Sequence, residues 1–375
     1  MTKIVRIEWA LLEGQRPRAA GCNARLGEHG QQVRVPLARV TTDEGATGFG
    51  WSRVARDEAA GWVGLALDEG YDRERGAHDK TRAFEYPLWD LAGQLAGEPV
   101  YALLGGQAGE RDGFCAPCYD TSLYMDDLCL ADDEAAALIA SEALEGAARG
   151  HRAFKIKVGR GAMHMPLEAG TRRDIRVIHA VREAVGPEAL ILIDANNGYN
   201  LNLARRVLAE TASADVYWIE EAFHEDGRLY EHLKEWLATE GLETLIADGE
   251  GAASPYLLDW ARQGLIDVVQ YDVLHSGFSR WLELGPQLDG WGVRSAPHHY
   301  GGWYGNYAAC HLAARIERFE FVEWDEATVP GLDASAYRIS EGIVHVPDLP
   351  GFGLQLDEDV FARAVAENGF VVGEG

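Results

Sequence analysis

From about residue 113 the chain repeats one pattern: a short apolar run, then a helix-sized amphipathic stretch. The runs are "GFCAPCYD", "AFKIKV", "LILIDA", "VYWIEEA", "TLIADGE", "DVVQYDV", "VRSAPHH" and "FEFVEWD", eight in all. Between them lie stretches such as "NLARRVLAETAS" and "RLYEHLKEWLATEG". Strands that alternate with helices pair in parallel, because each helix carries the chain back to the starting edge of the sheet.

Eight such units predict a closed barrel, so the fold class is α/β, a modified TIM barrel of (β/α)7β type. Ligands of a parallel barrel bind where its strands end. Here the runs end in Lys157, Asp194, Glu220, Glu250, Asp272, His298 and Glu323. From Asp194 on, the steps are 26, 30, 22, 26 and 25 residues, one unit apiece. The longer step of 37 residues from Lys157 to Asp194 accommodates an extra segment, "GRGAMHMPLEAG". Seven such groups in register converge on one mouth, where uncompensated charge is costly, so they need a metal, a substrate or one another.

The stretch "FKIKVG" sets Phe154, Ile156 and Val158 against Lys155 and Lys157. Such alternation also describes a half-buried strand with a solvated face. The neighbouring runs favour an inward pair of ammonium groups. Asp194, Glu220 and Glu250 offer three hard oxygen ligands, which suits Mg²⁺; with no cysteine or histidine in the trio, zinc is not indicated. Spacing alone leaves Glu221 open beside Glu220, and Asp248 open beside Glu250. Asp272 can orient the His298 imidazole. A lysine base, a histidine facing it and a divalent cation between them suit removal of a proton α to a carboxylate. Lys155 can contact that carboxylate and, with Mg²⁺, depress the pKa of Lys157.

The motifs K-x-K, "DANN", "IEE", "DGE", "QYD" and "APHH", in this order, closely resemble the mandelate racemase subgroup of the enolase superfamily. That resemblance implies Asp194, Glu220 and Glu250 as ligands of one Mg²⁺, and Lys157 and His298 as acid–base catalysts, with Asp272 and Lys155 assisting. It implies that Glu323 donates a hydrogen bond to the substrate carboxylate, and that Asn196 sits in the ligand shell. It also implies a homo-oligomer. The chain departs from the pattern at "IEEA", where proline commonly follows, at Asp248, and at "VLHSGFSR", which replaces a glycine pair.

Residues 1–112 read as an α+β capping domain, 113–340 as the barrel, and 341–375 as a C-terminal segment returning to the cap. Within the cap, Arg16 to Gln32 reads as a long polar lid. Asn23, Arg25 and His29 in that lid, with Trp51 and Arg53 in the following turn, are the candidate substrate-binding residues. Net charge of −26 repels nucleic acid and anionic membranes. No apolar run is long enough to span a bilayer, and the opening "MTKIVRIEWALLEG" reads as a strand and not as a signal peptide, so a cytoplasmic location is expected. Cys115 and Cys118 form a lone C-x-x-C, read as packing. The stretch "GGWYGN" lacks the lysine of a phosphate loop and reads as close backbone packing, with His299 outside the reacting groups.

The expected activity is dehydration of an acid sugar, a small carboxylate substrate, to a 2-keto-3-deoxy acid. The alternatives are a racemase, epimerase or lactone cycloisomerase, and a barrel that binds acid sugars without turning them over.

Overall fold

The computed structural model describes residues 2–107 and 113–374. The expected boundary at residue 112 lies outside the described residues. The N-terminal part is a four-stranded antiparallel sheet. Ile4–Ala20 is its second strand, flanked by Gly30–Thr42 and by the C-terminal strand Phe370–Gly373, with Thr47–Trp51 beyond Gly30–Thr42. Helix Glu85–Ala96 packs against this sheet and stops at Gly97, whose left-handed backbone (φ 68°) closes the last turn.

The hairpin differs from the sequence reading. Strand pairing continues to Ala20 and resumes at Gly30, so the loop spans only residues 21–29. Arg16 and Arg18 look loop-like in sequence because they are charged. They are strand residues with partners elsewhere: Arg16 binds Asp325 through two hydrogen bonds of 2.7 Å, and Arg18 reaches Ser122 and Glu145.

The eight runs form the barrel strands Phe114–Leu123, Ala153–Lys157, Leu190–Asp194, Val216–Glu220, Leu245–Asp248, Val268–Val269, Arg294–Ser295 and Val322–Trp324. The first seven pair in parallel in chain order. The eighth pairs with the first, and a bridge from Ser295 to Phe319, just ahead of the eighth strand, closes the ring. Phe154, Ile156 and Val158 face the surrounding helices, while Ala153 joins Leu192, Trp218, Val268 and Phe321 inside the barrel. Neither face of "FKIKVG" is solvated: Lys155 is fully buried and Lys157 is 3% exposed.

After the barrel, Ile343–Val346 pairs antiparallel with Phe114–Pro117 at the start of the first barrel strand. The chain then crosses to the cap, where Asp90 on Glu85–Ala96 accepts amide hydrogen bonds from Phe49 and Phe352. Helix Glu358–Asn368 leads into the last strand. No helix among the described residues is long and apolar enough to cross a membrane.

Candidate active site

Lys157, Asp194 and Glu220 are direct neighbours across three strands, so one parity points all three into the mouth. On the fifth strand that parity falls on Ala247, the partner of Glu220. Asp248 therefore points away, and accepts a 2.5 Å hydrogen bond from the Tyr230 hydroxyl. The parity shared by Asp248 and Glu250 in sequence does not survive, because Gly249 takes φ 126°, a conformation reserved for glycine. That turn brings Glu250 back over the mouth. Asp194, Glu220 and Glu250 then offer oxygens that all lie within 4.8 Å of one another. One oxygen each of Glu220 and Glu250 is buried without a protein partner. Three converging carboxylates with spare lone pairs fit a hard divalent cation.

Glu221 belongs to a different arrangement. It, Asn196 and Asn197 all take left-handed backbone conformations (φ 41°, 41° and 60°), a strained cluster of the kind found at functional sites. Both asparagine amides donate to the Glu221 carboxyl, at 3.1 and 3.0 Å. Burial, then the nearby Glu250, push the Glu221 carboxyl up to about 9. Asn196 also reaches Asp194 at 3.4 Å and keeps its own oxygen buried and unpaired.

The lysines sit at two depths. Lys155 is the inner one, 2.9 Å from Glu220 and 3.0 Å from Glu323, over the Tyr119 ring. Lys157 is outermost, hydrogen-bonded to Asp194 and over the Tyr124 ring. Burial is the largest influence and favours a neutral Lys157, but Asp194, Glu250 and Glu220 together hold the ammonium above its usual pKa; Lys155 acts in the lowering direction. Asp194 behaves reciprocally: burial favours its protonated form, yet Lys157 and Lys155 hold it below the usual range.

Glu323 lies fully buried among donors. Its carboxylate accepts from Thr121, Lys155 and the backbone amides of His299 and Tyr300. Burial opposes ionisation, but Lys155 and His298 hold Glu323 well below the usual carboxylate range. In this arrangement Glu323 accepts from four donors and anchors Lys155.

His298 places Nδ1 3.1 Å from Asp272, with Nε2 facing Glu250 at 3.5 Å and Glu323 at 3.7 Å. Burial favours the neutral ring, but Glu250, Glu323 and Asp272 raise it to about 10. His299 is buried, and a Cβ on Gly305 would lie 2.4 Å from its ring, which explains the glycine in "GGWYGN" as close packing.

The lid residues divide. Asn23 and Arg25 line a cavity of about 430 Å³ together with Asn196, Glu221, His224 and Glu250. The Asn23 carboxamide oxygen itself closes a turn, accepting from the amides of Arg25 and Leu26. His29 packs edge-on against Tyr124 and Tyr300, and burial followed by the Lys157 charge lowers its pKa to about 4. Trp51 meets His275 and Tyr86. Tyr124, Tyr300, Thr121 and Arg16 were not singled out from sequence. Tyr300 directly follows the histidine pair, which was an available signal; a buried Arg16 had none. A larger cavity, about 760 Å³, lies beside Trp324 and Tyr337, and no lysine, arginine or histidine lines it.

Residues 138–360 match the family described as "Enolase C-terminal domain-like". The chain belongs to the enolase superfamily, in its mandelate racemase subgroup. Among enolase-superfamily relatives it is similar to the D-galactarolactone cycloisomerase of Agrobacterium fabrum, 30% identical over 291 residues, 74% of this chain and 71% of that one. It is 28% identical to the arabinonate dehydratase of Saccharolobus solfataricus over 282 residues, 73% and 69% of the two chains. A galacturonate dehydratase from Geobacillus sp., solved with D-galacturonate and 5-keto-4-deoxy-D-galacturonate, is 48% identical. It superposes with a TM-score of 0.95 over 99% of both chains. A Geobacillus sp. mandelate racemase/muconate lactonizing protein, solved with magnesium and tartrate, is 48% identical with a TM-score of 0.97, over 100% of this chain and 97% of that one.

Proposed function

We propose that this chain is a Mg²⁺-dependent acid-sugar dehydratase whose substrate is a hexuronate in its open-chain form. Asp194, Glu220 and Glu250 are the metal ligands, Lys157 is the base and His298 the acid. The observation that carries this reading is the placement of a lysine and a histidine, each with its own carboxylate partner, around one trio of metal-competent oxygens. The relative solved with galacturonate and its dehydration product supports the choice of a hexuronate.

The α-carbon of a hexuronate is C5, next to the C6 carboxylate, and the leaving hydroxyl is on C4. Opening the ring frees the C5 hydroxyl, which becomes the ketone. Lys157, in the neutral form that the Lys155 charge favours, accepts the C5 proton, after which the C4–O bond breaks. His298, paired with Asp272, gives its proton to the departing hydroxyl, which leaves as water. The remaining enol takes up a proton at C4 to give the 5-keto-4-deoxy acid. Counted from the carboxylate, this is the same outcome as a 2-keto-3-deoxy acid. Mg²⁺ held by Asp194, Glu220 and Glu250 would supply positive charge against the second negative charge that develops on the substrate carboxylate as the α-proton leaves. Asp272 orients the His298 ring, and Glu323 holds Lys155 where its charge lowers the affinity of Lys157 for a proton.

The test is incubation of purified, Mg²⁺-loaded protein with a stereochemically complete panel of uronates, aldonates and aldarates. Formation of an α-keto acid lighter than its substrate by one water is expected with a uronate. A product of unchanged mass would overturn dehydration in favour of an isomerase, the reading supported by the cycloisomerase relative. Tight binding of the same compounds without turnover would establish a binding protein.

A further inference from the structure

The segment "VLHSG" after Asp272 departs from the subgroup pattern, and its histidine lies at the seam between cap and barrel. His275 Nδ1 is 2.9 Å from Asp272 Oδ1, and His275 Nε2 is 2.9 Å from Arg53 Nη1. Arg53 follows the cap strand Thr47–Trp51, and its guanidinium lies over the Trp51 ring, which in turn meets the edge of His275. A guanidinium has only donors, so Nε2 must present its lone pair to Arg53. The ring proton then resides on Nδ1 and is donated to Asp272. Free imidazole side chains favour the opposite tautomer, so the cap imposes this one.

Asp272 Oδ1 consequently receives three N–H groups: the backbone amides of Leu274 and His275, each at 2.8 Å, and His275 Nδ1. Only Oδ2 is left for His298. Three donors on one oxygen restrict rotation of the carboxylate and leave the other oxygen facing His298 at 3.1 Å.

We propose that His275 is a positioning residue which, kept in its Nδ1–H tautomer by Arg53 of the cap, fixes the Asp272 carboxylate that orients His298. This rests on the reading of His298 as the acid of the reaction. It ties the cap to the catalytic imidazole through three hydrogen bonds in series, so the dyad is fully ordered only when the turn after Thr47–Trp51 is seated.

Two measurements test it. Long-range ¹H–¹⁵N spectra of the full chain, loaded with Mg²⁺ and labelled at its 12 histidines, report each ring's tautomer, with the His275 signal identified by its loss in His275→Asn. An Nδ1–H tautomer in the wild type, lost or mixed in Arg53→Ala, is expected. An Nε2–H tautomer, or one indifferent to Arg53→Ala, overturns the proposal without any reference to activity.

The second measurement uses whichever acid sugar the panel identifies. His275→Ala should lower kcat about tenfold, the scale of one charge-assisted hydrogen bond, with KM and Mg²⁺ affinity within about twofold. His275→Asn, whose amide lies where Nδ1 lay, should restore most of the loss. Arg53→Ala should slow the wild type yet have no further effect in the His275→Asn background; simple additivity overturns the relay. If His298→Asn keeps full dehydration, the assignment of His298 fails instead, and the tautomer spectra still decide the role of His275.

Discussion

Lys157, Asp194 and Glu220 are legible from sequence because strand geometry is so regular: each closes its own apolar run, and a two-residue side-chain period puts them side by side. What breaks that period is not legible. Gly249 reverses the parity between Asp248 and Glu250, and a φ of 126° leaves no trace in hydropathy. The setting of Glu323 is equally hidden, since its four donors come from the first and second barrel strands and from the segment after the seventh. The ligand assignment predicts that Glu220→Gln weakens Mg²⁺ binding far more than Glu221→Gln, measured by calorimetric titration; the reverse order would move the ligand to Glu221. The opposed bases make a second prediction. In D₂O, His298→Asn should lose dehydration yet still exchange the α-proton of compounds that present it to Lys157, and Lys157→Ala should show the opposite facial preference. Each group typically contributes about 10²- to 10⁴-fold, well within the range of an NMR exchange assay. If both folded, metal-loaded variants lose all exchange across the whole panel, the two-base arrangement is wrong.

Among the elements, the lid shows how sequence misjudges length. Its polar, glycine-bearing composition suggested a loop from Arg16, whereas charged strand residues satisfied across the cap–barrel seam reduce it to residues 21–29. The extra segment before the third barrel strand now has a use. His164 within it meets the Asn23 carbonyl at 2.7 Å, and Ala24, 1% exposed, sits against Gly159 and Gly198. A Cβ on Gly198 would fall 2.6 Å from that of Ala24, closer than carbon atoms pack. Gly198→Ala should therefore unseat the lid, raising KM several-fold and increasing proteolytic cleavage within 21–29, while Mg²⁺ affinity stays unchanged. Unaltered KM and cleavage would mean that the seat does not control the lid.

For the molecule as a whole, the barrel and its (β/α)7β order were readable from the eight runs, because alternation of strand and helix admits few topologies. The joins that bring the returning C-terminal segment onto the cap were not, since they depend on single buried groups far apart in sequence. Asp90 is one: it accepts from Phe49 of the cap sheet and Phe352 of the returning segment, and burial raises its pKa to about 7. A carboxyl raised on folding adds stability that is complete below its unfolded value near 4 and is lost as pH climbs through about 7. Thermal unfolding should therefore shift to lower temperature across that interval. Asp90→Asn should flatten the dependence while lowering stability by about 1–3 kcal/mol, because an amide cannot accept both backbone N–H groups equally well. An unchanged pH slope in that variant would remove Asp90 as its source.

The cap sheet is completed by Phe370–Gly373, which pairs with Ile4–Ala20 and stacks Phe370 on Trp9. A ribosome makes these strands about 350 residues apart. At ordinary elongation rates the outer edge of the first strand waits roughly 20–70 s for its neighbour, longer than a barrel of this size needs to begin collapsing. During that interval Trp9 and the unpaired backbone of Arg6 to Trp9 form an open edge, able to recruit another nascent chain. A strand made this late is thus the one that withdraws the first from aggregation, and chains released before residue 370 should depend on chaperones far more than chains that include Phe370–Gly373.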